Sequence, residues 1–151
     1  MAKVKIVAAS LFCALIVWVI VLLLGITTFE HTVALTLPFR QGLPEGAPDL
    51  AAQLKLTFSH LIDLVWLLLM LAVGSIFPAL IVSKVAGERN TRLLVTLTIG
   101  ALVAFAAQSG TLLIIYSPLY LHHFSGLFLT WSSVAAFTYI GSKVFDRGLA
   151  N

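Results

Sequence analysis

Four long apolar runs divide the chain: Ile6–Phe29, Leu61–Val82, Leu93–Tyr116 and Leu121–Val144. Each meets or exceeds the roughly 20 residues that cross a hydrocarbon core of about 30 Å. None shows the period-2 alternation of a barrel strand. A backbone in lipid must also satisfy its N–H and C=O groups within the segment, so the pattern predicts four helices. Short links predict an up-down-up-down order in which sequence neighbours are antiparallel neighbours and helices two and four are diagonally opposed. The expected fold is an all-α integral membrane protein, a single four-transmembrane-helix up-down bundle over 1–151. Its spans are about 6–29, 61–82, 93–116 and 121–144, with an outer loop at 30–57.

Within that loop, Val33, Leu35 and Leu37 alternate with small or polar residues before Pro38, which predicts a short extended stretch on the membrane or on a partner. A turn-rich segment, Gln41 to Pro48, leads to Asp49, an N-cap for a helix carrying Leu50, Leu54 and Phe58 on one side. That helix either runs straight into span two or lies separately, bent near Ser59. Gly74 and Pro78 predict a bend in the inner half of span two. Gly100 and Ala104, Gly126 and Thr130, and Ser132 and Ala136 place small residues at helical spacing where helices can approach closely. Trp66 and Tyr116, with Tyr120 and Trp131 more loosely, fall near the outer boundary as aromatic anchors. Trp18 falls near mid-span and should pack against protein.

Composition agrees: 60% of the 151 residues are hydrophobic and 10% charged, far from a soluble domain. The net charge of +3 matters through its placement. Lys3, Lys5, Lys84, Arg89, Arg92, Lys143 and Arg147, seven of the nine basic residues, flank the same side of the spans, and only Arg40 and Lys55 lie in the first loop. The positive-inside rule then puts both termini in the cytoplasm, as expected for a bacterial inner-membrane protein, and gives no reason to invoke nucleic acid. The first run exceeds a signal-peptide core and lacks a small-x-small cleavage site, so it reads as an uncleaved anchor. Cys13, the single cysteine, excludes an intrachain disulfide and is a small apolar filler.

Glycine-rich phosphate loops, paired cysteines, H-E-x-x-H and G-x-S-x-G are all missing from the sequence, which points away from hydrolytic and nucleotide-driven enzymes. Polar chemistry gathers instead at the outer face: Glu30 and His31, His60 and Asp63, His122 and His123. His60 and Asp63, three apart, share a helix face on which a carboxylate can orient an imidazole. His60 with His122 or His123 forms a candidate haem b pair. A transition metal has candidate ligands in His31, His60, Asp63, His122 and His123. The simpler alternative is that these histidines hydrogen-bond water, lipid phosphate and loop carbonyls. Asp63 with Gln108, Ser109 and Thr111 outlines either an outward-opening polar pocket or interhelical glue.

Three functions follow. The first is a non-catalytic accessory or structural subunit of a larger respiratory or transport complex, partnered by lipid and by other membrane subunits or its own copies. The second is a redox or quinone-linked protein using His60 and His122 or His123. The third is a small homo-oligomeric transporter with Asp63 as coupling carboxylate. Small multidrug transporters are similar in helix number, but their mid-membrane glutamate in the first helix has no counterpart among residues 6–29. The accessory subunit requires no active site and is the preferred expectation.

Overall fold

The computed structural model describes residues 2–40, 50–108 and 124–149, and these are helical throughout apart from a turn at Ser75 and a short link at 86–88. The helices are α1 (Ala2–Arg40), α2 (Leu50–Gly74), α3 (Ile76–Val85), α4 (Arg89–Gln108) and α5 (Phe124–Leu149). Among the described residues, three segments are long and apolar enough to cross a membrane: Val4–Thr28, Gln53–Val85 and Arg89–Ala107. α5 falls outside that set; Thr130, Ser132, Ser133, Thr138 and Ser142 dilute its apolar content.

Helix α1 continues through the segment expected to be extended. An isolated strand leaves its ladder groups unpaired, whereas a helix satisfies them internally. The threonines assist: Thr28 Oγ1 donates to the Leu24 carbonyl, Thr32 to Thr28 and Thr36 to Thr32. Its 39 residues span about 58 Å at 1.5 Å per residue, well beyond a hydrocarbon core. Helix α2 passes unbroken through Ser59, so the segment carrying Leu50 and Leu54 does run straight into the apolar stretch. Asp49 lies outside the described residues.

The bend expected from Gly74 and Pro78 is present as the break between α2 and α3. Pro78 has no N–H to offer the Gly74 carbonyl. Around it the ladder persists, with Ser75 N–H bonded to Leu71 O at 3.0 Å and Ala79 N–H to Ser75 O at 2.9 Å. The Ser75 hydroxyl also donates to Leu71 O at 2.7 Å. Two apolar stretches therefore act as one bent element.

The packing order differs from the one expected. α1 lies against α2 and α4, α5 against α4 and α3, while α3 barely meets α4 and α1 does not meet α5 among the described residues. The α2–α3 element and α5 are therefore neighbours, and the chain neighbours α2–α3 and α4 are a diagonal pair. Close approach explains the choice. A Cβ on Gly100 would stand 2.5 Å from the Trp131 carbonyl of α5, and one on Gly141 would stand 2.8 Å from Ala79 Cβ of α3. α5 is thus drawn against both elements, and α4 is pushed away from α3. Val17, Val21, Leu71, Val82, Ile99, Val103 and Val134 fill the space between.

Of the small-residue pairs, Gly100 with Ala104 and Gly126 with Thr130 are buried, but Ala136 is exposed and Ser132 only half-buried, so that third pair is not a packing stripe. Trp131 is a cross-helix bridge rather than a boundary anchor: its Nε1 donates to the Leu97 carbonyl of α4 at 3.1 Å. Trp18 does pack against the core, as expected.

Gly100→Ala should lower stability by about 1–3 kcal/mol, because backbone on the facing helix has to move. Gly87→Ala, with nothing within 4 Å of the added methyl, should leave it within about 0.5 kcal/mol. Thermal unfolding of both variants in detergent checks the contrast.

Candidate functional sites at the two ends

Antiparallel register fixes the levels of the polar groups. Trp66 Nε1 of α2 donates to Thr28 Oγ1 of α1 at 3.0 Å, and Gly74 abuts Val17 and Val21. Residues of α1 and α2 whose numbers sum to about 94 therefore face each other. Thr36 and Ser59, both buried, fall at one level and let the two helices stay close beyond the apolar stretch. His31 is level with Asp63, and His60 with Ala34.

His31 and Glu30 are exposed on α1, whereas His60 and Asp63 are half-buried on α2. Among the described residues no three His, Cys, Asp or Glu side chains stand close enough to share a metal ion. His122, His123, Ser109 and Thr111 lie outside the described residues, as does the side chain of Gln108, which ends α4. The expected haem pair and the expected polar pocket therefore each have one described half, on α2.

At the opposite end stand the start of α1, the 86–88 link and the end of α5. Here the structure shows a polar site that the sequence reading treated only as a topology signal. Arg92, in the first turn of α4, is 8% exposed. Its Nε and Nη2 donate to the Ala86 carbonyl at 3.3 and 3.1 Å, and Nη2 also pairs with Asp146 of α5. Ala86 leaves the helical region with φ −110° and ψ 83°, which turns its carbonyl toward the guanidinium. One side chain thus ties the end of α3, the start of α4 and the end of α5. The signal was available: a basic residue at the start of one helix and an acid at the end of its antiparallel partner must come level.

Beside this clamp, Lys143 Nζ lies 4.6 Å from the centre of the Tyr139 ring, and the charges of Lys143 and Arg89 both act on the Tyr139 phenol. Two cations and a phenol thus share one edge of the α4–α5 seam. Elsewhere the buried hydroxyls bond their own helix, as Ser10 does to Ile6 O, Thr96 to Leu93 O, Thr130 to Gly126 O and Ser142 to Tyr139 O. Trp18 Nε1 and Thr138 Oγ1 are buried without a partner.

The chain shows no detectable similarity to any protein-family model, curated protein or solved structure. Function is accordingly read from residues and packing.

Arg92→Ala should cost about 1.5–3 kcal/mol, the range for hydrogen bonds to a charged group, with Asp146 and the Ala86 carbonyl left behind. Asp146→Ala should cost at least as much, since it leaves the buried guanidinium with the Ala86 carbonyl alone, whereas the part-exposed carboxylate left by Arg92→Ala can be hydrated. In a double-mutant cycle read by thermal unfolding, strict additivity would show that the pair is not coupled.

Proposed function

We propose that this chain is a non-catalytic accessory subunit of a larger assembly, of respiratory or transport type, in a bacterial inner membrane. In this reading the four spans form an up-down bundle with both termini cytoplasmic, and α5 completes it although less apolar than the others. Seven basic residues gathered at the end that carries the termini support that orientation.

The observation that carries the subunit reading is the paired extension of α1 and α2. With Val4–Thr28 occupying the hydrocarbon, residues 29–40 continue for about 18 Å more. By register, α2 accompanies them back to about Leu54. This arm exposes Val33, Leu35, Leu37 and Leu54, with Leu35 56% and Leu54 52% exposed. Val33 and Leu37, four apart, share one flank of the helix and Leu35 stands on the other, so both flanks of the arm present apolar side chains beyond the lipid, a surface that neighbouring subunits cover. The same register carries half-buried His60 and Asp63 onto the arm, which places Asp63 away from the mid-membrane depth of a coupling carboxylate.

Gentle extraction followed by one chromatographic run, recording mass, co-eluting chains, visible absorbance and metal content, tests the proposal. Stoichiometric companion chains without a chromophore are expected. Leu35→Glu with Leu54→Glu should release the companions while helical content is unchanged. A homogeneous small oligomer with a Soret band would overturn the subunit reading in favour of haem held by His60 and His122 or His123. Unaccompanied protein whose Asp63→Asn variant loses transport in vesicles would favour the coupling carboxylate.

A further inference from the structure

A groove of about 570 Å³ runs along the outside of α4 and ends against Trp131 of α5. Leu93, Leu94, Leu97 and Ala101 line it, and Asn90 marks its other end. From Asn90 to Ala101 is about 16 Å along the helix, close to the roughly 15 Å depth of one leaflet. The polar end coincides with the edge where Lys143 stands over the Tyr139 ring and exposed Arg89 adjoins Asn90. Trp131, Ala135, Tyr139 and Lys143 recur every four residues and so form one ridge of α5 bordering the seam.

We infer that this groove seats one anionic phospholipid of the inner leaflet. The acyl chain lies along Leu93, Leu94 and Leu97 with its end against Trp131, and the phosphate sits between Arg89 and Lys143. Tyr139 and Asn90 supply neutral hydrogen-bond donors. Charge complementarity selects the occupant. The nearby acids do not cancel the two cations: Asp146 is engaged by Arg92, and Glu88 is exposed on the link. Basic pockets between helices on the cytoplasmic side hold anionic headgroups in this manner. The inference uses the membrane orientation proposed above but not the subunit role.

The full chain, with Trp18→Phe and Trp66→Phe so that Trp131 alone emits, is reconstituted in vesicles containing brominated phosphatidylglycerol or brominated phosphatidylcholine. Quenching should report a preference for the anionic lipid of about fivefold for each basic residue, or about 25-fold for the pair. Arg89→Gln with Lys143→Gln should bring the ratio to about one, while Lys84→Gln with Arg147→Gln keeps most of it. Native mass spectrometry of the unsubstituted protein should show one retained anionic lipid, an observation independent of any variant's folding. Equal quenching by both lipids, or equal loss in the Lys84/Arg147 variant, overturns the seat and leaves the membrane placement standing. No quenching by either lipid overturns the membrane placement with it.

Discussion

Close backbone approach at Gly100 and Gly141 is the constraint on which the arrangement depends. Lipid tails are as apolar as the leucines they meet, so burying leucine does little to hold helices together in a bilayer, and contact through small residues has to do it. α5 supplies one such contact to α4 and another to α3, with less than a methyl group's room at either. It thereby becomes the shared partner of two elements that scarcely touch. The ring order follows from this: α1 closes on α2 and α4, and α5 closes on α3 and α4.

Polar contacts then reinforce the two ends differently. On one side of the apolar stretch, Trp66 and Thr28 join α1 to α2 through a neutral hydrogen bond. On the other, Arg92 joins three elements through a charge. A buried guanidinium is costly unless its donors are met, and Arg can meet a carbonyl and a carboxylate at once because its planar fork directs several donors. Lysine at the same place would offer a point charge on a flexible stem. The polar interior is otherwise held locally, since serine and threonine hydroxyls mostly bond carbonyls three or four residues back in their own helix. Among the described residues, helix-to-helix specificity is concentrated in the glycines, Trp66 with Thr28, Trp131 and Arg92.

Much of the architecture was legible from sequence because it is local. Run length gave the apolar helices, Pro78 gave the bend, and Trp18 read correctly as a packed residue. The alternation of Val33, Leu35 and Leu37 predicts an extended stretch at 31–38, but a lone strand has no partner for its backbone groups and the helix satisfies them internally. Ring order was not legible: short links favour chain neighbours, but the tightest contacts come from Gly100 and Gly141, whose partners are set by helix rotation. Of the site residues, Arg92 is legible from sequence only as one of the basic residues that set topology, because its pairing with Asp146 depends on packing. The histidines of α2 and of the 122–123 pair were identified as residue types, but convergence is a property of packing that spacing does not contain.

The two ends also differ in what they leave uncovered, and this bears on how such a chain would work within an assembly. At the end bearing the termini, exposed cations edge an apolar groove, a combination that an amphipathic molecule satisfies by itself. At the far end, the α1–α2 extension exposes leucine and valine beside His31 and Glu30, without comparable basic charge apart from Arg40 and Lys55. Lipid headgroups do not satisfy exposed leucines, but the flank of another protein does. A subunit built this way would be held in depth and rotation by lipid at one end and docked by protein at the other. The connection between them is α1 itself, continuous from Ala2 to Arg40 and packed on α2 along the way.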